Sequence, residues 1–159
     1  MNQYTFTIIY ILSIVLINIG FVYVPLIPFF GTMYPPMSIA VGLVFILRDY
    51  SQKEIGHKVI FAMLIGALLS YFMADPYIAF ASLVAFIVAE TVDWGVYTFT
   101  NKPLRERILL SSLFSTPIDS ALFLYMIGHF SLLATATMFV SKMLACIIIW
   151  QYLGKKNET

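Results

Sequence analysis

Apolar residues dominate six blocks of this chain, and the breaks between blocks carry proline, glycine or charge. A helix needs roughly 20 apolar residues to cross about 30 Å of hydrocarbon. The first block runs from about Thr5 to Tyr23 and ends in VPLIPFFGTMYPP, whose four prolines and one glycine cannot continue a helix. That segment predicts a turn or a re-entrant connection. The second block, about Pro36 to Tyr50, is short and closes where Arg48 and Asp49 appear. The third, about His57 to Met73, is closed by Asp75-Pro76, and the fourth is the long one, Tyr77 to about Thr100. The fifth covers about Arg107 to Ile127 and the sixth about Ser131 to Leu153. The expectation is an all-α polytopic membrane protein: one compact bundle of six transmembrane helices over residues 1–159.

Composition agrees with that pattern. Of 159 residues, 61% are hydrophobic and 11% charged, against about 25% charged in soluble domains. The mean hydropathy is +0.92. Six spans in this length are expected to leave little over for any soluble module. The first block lacks a basic leader and a small-residue cleavage site, so it is expected to be a retained helix and not a signal peptide. A net charge of +1 gives no basic face for a nucleic-acid partner. The partner the pattern does predict is the lipid bilayer.

Basic residues orient the spans. Arg48, Lys53 and Lys58 flank the second loop, Lys102, Arg105 and Arg107 the fourth, and Lys155 and Lys156 form the tail. The other three loops hold no Lys or Arg, and the ninth basic residue, Lys142, lies inside the sixth block. By the positive-inside rule both termini are expected in the cytoplasm.

Against this apolar background a few polar residues are conspicuous. Glu90 and Asp93, in FIVAETVDWGVY, lie roughly 20 and 24 Å along the fourth helix at 1.5 Å per residue. They are one turn apart and share a face. Asp119 and Lys142 fall near the midplane of the fifth and sixth helices, and Arg48 and Asp49 end the second. A charge at the centre of a spanning helix costs about 2.5–3.5 kcal/mol on the lenient insertion scale, so these groups should face the bundle interior. Each has a plainer explanation. Asp93 could reach the headgroups of a tilted helix, and Asp119 and Lys142 could form a structural ion pair. The set nevertheless holds four acids and two bases, so some members must be protonated, hydrated or ligand-bound.

The fifth block adds LLSSLFSTPIDS, where Pro117 removes a backbone hydrogen bond amid Ser111, Ser112, Ser115, Thr116 and Ser120. A packing device and an opened helix lining a cavity both fit it. Phe86, Trp94 and Tyr97 share the fourth helix with the carboxylates and could stack a planar ligand or pack against lipid. Asn18 and Gln52 are weaker signals. No catalytic apparatus is legible. His57 and His129 fall near opposite faces, Cys146 is alone, and G-x-S-x-G, HExxH and phosphate loops are missing. Neither enzyme activity, a metal nor a cofactor is expected. Buried acids and bases in a small helical bundle suggest recognition or transport of a polar molecule.

The segments FILRDYSQKEIGHK, ASLVAFIVAETVDWGVYTF and LLSSLFSTPIDSALF resemble, in order and spacing, the vitamin uptake transporter family, also called queuosine precursor transporters. The resemblance covers about Arg48 to Phe123. It implies a six-helix carrier of the bacterial inner membrane for 7-cyano-7-deazaguanine or its aminomethyl analogue. Arg48, Asp49, Gln52, Glu90, Asp93, Asp119 and Ser120 fall on its motif. The chemistry fits, because a carboxylate can accept both the ring N–H and the exocyclic amine of a deazaguanine. An Arg or Gln could meet the ring carbonyl, and Trp94 could wall the flat ring. Ser115, Asp119 and Lys142 complete the expected binding set, Ser115 and Asp119 near the 7-substituent. Three functions remain open: a stand-alone carrier, homodimeric or not; a substrate-binding subunit of an ATP-driven importer with an energizing module; and a structural protein whose acids form ion pairs.

Overall fold

The computed structural model describes residues 4–73 and 76–156, the last four of these by backbone alone. Its helices are α1 (Thr5–Tyr23), α2 (Ser38–Ile55), α3 (Val59–Met73), α4 (Pro76–Phe99), α5 (Leu104–Met126) and α6 (Leu132–Lys156). Five helical stretches are long and apolar enough to cross a membrane, and α2 and α3 together make one of them, Ser38–Met73. Within that stretch a 3-10 turn, Gly56–Lys58, separates the two helices. Gly56 closes α2 at φ +60°, ψ −138°, a conformation that costs glycine least. Asp75, expected to close the third block, lies outside the described residues.

The surface is that of a membrane-embedded protein. Leu16, Phe61, Phe72, Tyr125 and Leu132 are each well over half exposed, whereas Ser38, Arg48, Asp49, Ser51, Glu90, Asp93 and Lys142 are buried. In water this inside-out arrangement would leave a large apolar surface exposed; in lipid that surface is already matched to its solvent.

Two departures from the sequence pattern matter. The proline-rich segment, expected as a turn or a re-entrant connection, turns through regular structure. It forms a short antiparallel hairpin, β1 (Ile27–Phe29) and β2 (Thr32–Tyr34), in register Ile27↔Tyr34 and Phe29↔Thr32. Its two-residue loop, Phe30 at φ 47° and Gly31 at φ 79°, has the positive-φ pair that matches the twist of two-residue hairpins. The second departure is in α2, which runs on past Arg48 and Asp49 to Ile55. Sequence ended it there because charge reads as a membrane boundary; the helix instead carries both charges into the interior.

Helix α5 is packed between α4 and α6, and α2 contacts α1, α6, α5 and α3. The α2–α6 contact is tight: a Cβ built on Gly42 would sit 2.6 Å from the Lys142 carbonyl oxygen. Such close backbone approach is the usual use of small residues between membrane helices. It brings Lys142 against α2. At the other end of α2, Glu54 accepts hydrogen bonds from the first-turn amides of α1, Phe6 N–H at 3.0 Å and Thr7 N–H at 2.9 Å. A carboxylate there meets the positive end of the α1 dipole and ties the start of α1 to the end of α2.

Candidate functional site

Arg48 is the centre of the larger polar cluster. Its Nη1 lies 2.6 Å from Asp49 Oδ1 and 2.7 Å from Asp93 Oδ2, and its Nε lies 3.2 Å from Glu90 Oε2. The Asp93 contact is ionic without hydrogen-bond alignment, since Oδ2 has no hydrogen-bonding partner. All four side chains are at most 2% exposed. The one-turn spacing of Glu90 and Asp93 on α4 lets a single guanidinium fork meet both carboxylates, while Asp49 approaches from the next position on α2. Tyr10 of α1 donates to Glu90 Oε2 at 3.1 Å.

Helix α5 supplies the floor. Ser111 donates to Asp49 Oδ2 and Ser115 to Asp93 Oδ1, each at 3.3 Å. Asp119, one turn further along the same stripe, accepts from Lys142 of α6. Lys142 also donates to Ser120 Oγ at 3.0 Å. Thus residues 111, 115 and 119 run from the Arg48 cluster to a second, smaller cluster. Pro117 does not open α5: the helix continues through it to Met126. Thr116 and Ser120 turn their hydroxyls back onto the carbonyls of Ser112 and Thr116, at 2.7 and 2.8 Å, which satisfies these groups inside the helix's own backbone.

Two small cavities adjoin these clusters. One, about 90 Å³, is bordered by Arg48, Glu90, Thr91, Trp94, Val59 and Met63. Two buried polar atoms of its wall residues, Arg48 Nη2 and Glu90 Oε1, have no hydrogen-bonding partner. They are an unused donor and an unused acceptor on neighbouring groups. Trp94 donates from Nε1 to His57 Nδ1 at 3.2 Å. The other cavity, about 30 Å³, is bordered by Asn18, Ser82, Phe86, Phe123, Asp119 and Lys142. Asn18 donates to Ile14 O and Ser70 Oγ, at 2.9 and 3.2 Å, and leaves its Oδ1 unpartnered. Ile14, Val44 and Phe86, which border the smaller cavity, belong to one apolar cluster with Val59 and Met63, which border the larger.

The structure therefore divides the nine residues singled out in the sequence. Arg48, Asp49, Glu90, Asp93 and Ser115 meet in one cluster, Asp119 and Lys142 in another, and Trp94 walls the first cavity. Ser115 engages Asp93, so its hydroxyl is committed to the Arg48 side and not to a pocket at Asp119. Gln52 stands apart from both cavities and donates to Thr98 Oγ1 at 3.1 Å. Sequence reasoning missed Tyr10 and the acid-facing role of Ser111. Tyr10 carried a weak signal: a phenol inside an apolar helix needs a partner for its hydroxyl. Among the described residues no group of three or more His, Cys, Asp or Glu side chains is placed to hold a metal ion.

No protein-family model, curated protein or solved structure matches this chain.

Proposed function

We propose that this chain is a carrier of the bacterial inner membrane that takes up a queuosine precursor, 7-cyano-7-deazaguanine or its aminomethyl analogue. The six helices would each cross once, α2 and α3 as separate spans, with both termini cytoplasmic. The observation that carries the reading is the unused pair Arg48 Nη2 and Glu90 Oε1 beside the indole-walled cavity. A neutral planar base with an N–H and amine edge next to a ring carbonyl complements such a pair: its donors reach Glu90, its carbonyl reaches Arg48, and Trp94 covers the ring. An unsatisfied buried donor or acceptor costs about 1–3 kcal/mol, so a ligand that satisfies both gains accordingly. The resemblance in the Arg48-to-Phe123 segments points to the same cargo.

The cavity is far below the roughly 300 Å³ at which pockets for drug-sized ligands begin. This conformation is accordingly assigned to an occluded state that widens, around Trp94 and α3, to admit the base. A thermal-shift panel of 7-cyano-7-deazaguanine, guanine and hypoxanthine-type analogues in detergent tests recognition. Stabilisation by the first, with little by analogues that lack the exocyclic amine, is expected; no response to any deazaguanine would end the reading. Uptake by the chain alone in reconstituted vesicles is expected and separates a carrier from a subunit that needs an energizing module. Reporter fusions test topology: outside after His129, inside after Lys53 and Lys102. A cytoplasmic His129 would overturn the six-span arrangement.

A further inference from the structure

The Arg48 cluster has a charge problem that its hydrogen bonds do not solve. Three carboxyl groups surround one guanidinium, all of them buried. Fully ionised, they would leave two negative charges uncompensated. The titratable and charged neighbours do not supply the missing cations. From α1 comes Tyr10, a neutral phenol on Glu90. From α4 comes Tyr97, whose ring lies 5.8 Å from the Arg48 guanidinium carbon. Arg107 of α5 reaches that ring at 5.2 Å but makes no ion pair with the acids. From α6 comes Cys146, turned to the Gly42 carbonyl. The 3-10 turn brings His57, held by Trp94, and α3 brings Val59 and Met63. Lys142 is committed to Asp119.

The second observation is independent of the acid count. Glu90 Oε1 and Arg48 Nη2, both deeply buried, are unpartnered and belong to wall residues of the 90 Å³ cavity. That volume admits a few water molecules, each needing about 10–15 Å³. An acceptor and a donor there give water a place to deliver a proton to the acids and to remove it. Asp49 and Asp93 contact the same nitrogen at 2.6 and 2.7 Å, so the carboxyls stand close enough to share what arrives.

We propose that the three carboxyls around Arg48 form a proton-binding site, which retains at least one proton at neutral pH and carries one inward with each molecule of base. For its cargo the inference rests on the carrier reading above. A carboxylate takes a proton from the outer side as the base enters, and the resulting acid returns it on the cytoplasmic side as the base leaves. No other bond is made or broken.

Two measurements test it. In the first, vesicles containing the protein are given an interior one pH unit more alkaline, with the membrane potential clamped at zero, and supplied with labelled 7-cyano-7-deazaguanine. One proton per neutral base drives accumulation toward about tenfold, because one pH unit is worth one factor of ten. Uptake that stops at equal concentrations overturns the coupling while leaving the carrier reading intact. In the second, infrared spectra of the wild-type protein in detergent at neutral pH, with and without ¹³C-labelled Asp and Glu, look for the carbonyl band of a protonated carboxylic acid. A band that moves with the label, and is reduced in Asp49→Asn or Glu90→Gln, is expected. Its absence from the wild type overturns the proton site, whether or not the base binds. Failure to bind or transport any deazaguanine, with the band present, ends the carrier reading and the coupling to base that rests on it, and leaves the proton site standing.

Discussion

Among the described residues, Arg48 and Lys142 are the two buried bases, and their surroundings are unlike. Lys142 faces one carboxylate, Asp119, and has Ser120 beside it; charge is matched one to one. Arg48 faces Asp49, Glu90 and Asp93, and unused polar atoms remain on Arg48 and Glu90. Two like charges 4 Å apart interact by about 4 kcal/mol at an effective dielectric of 20, so the surplus at Arg48 is a standing cost. A stoichiometric pair is what structural stability asks for. A surplus of acid with unpaired atoms at a cavity is what binding asks for. On the proposed reading, the smaller cluster ties α5 to α6, and the larger one is where a ligand and a proton would have something to gain.

The largest effect should come from Arg48→Met. Removing one partner of a buried ion pair costs about 3–5 kcal/mol, and here three partners are stranded at once. Loss of folded protein, or a collapse of thermal stability beyond that of any other single variant, is expected in detergent. Adding Asp49→Asn should recover little, because two acids still lack a cation. An Arg48→Met protein that melts like the wild type would erase the distinction between the clusters.

Lys142→Met should cost about 3–5 kcal/mol, read as a lowered melting temperature. Here the partner change should help: Lys142→Met with Asp119→Asn is expected to regain part of the loss, since the stranded charge is gone. Losses that simply add would show that the two do not act as a pair.

Glu90→Gln sharpens the comparison on the binding side. Hydrogen bonds to charged groups contribute roughly 1.5–3 kcal/mol, so affinity for 7-cyano-7-deazaguanine should fall by about one to two orders of magnitude. Stability should change less, because the amide oxygen can still accept from Tyr10. Asp93→Asn should weaken binding less than Glu90→Gln, because Asp93 is not on the cavity wall. Equal affinity of wild type and Glu90→Gln would reduce Glu90 to a structural residue.

The smallest effect is expected for Ser115→Ala. Its bond to Asp93 is long, 3.3 Å, and a net contribution of about 0.5–1.5 kcal/mol is the ordinary range for a well-formed bond. A melting temperature little changed from the wild type is expected. A loss as large as that of Lys142→Met would mean that the α5 hydroxyls hold the acid cluster together.

The helices were largely legible because each is a long apolar block between breakers; α1 begins and ends where the pattern places it, at Thr5 and Tyr23. Helix α2 was the exception. A charge in an apolar run reads as a boundary unless its countercharges are known, and two of the three countercharges of Arg48 lie 42 and 45 positions away, at Glu90 and Asp93. The acids were found as candidates by their cost in lipid. Their sharing of one guanidinium was not, since no spacing along the chain encodes which helix faces which. Tyr10, and the pairing of Ser111 with Asp49, went unremarked for the same reason.

By itself the sequence determined the solvent in which this protein folds, because hydropathy is a sum over residues, and the four acids against two bases inside the apolar blocks, because that needs only position along the chain. Tertiary structure alone decided how that surplus is distributed. The close α2–α6 approach at Gly42 places Lys142 against α2, and the stripe of Ser111, Ser115 and Asp119 sends one acid to Lys142 while leaving three to Arg48. Pairing is a matter of distance across helices, and distances of 2.6 to 3.2 Å are fixed only when the helices have packed.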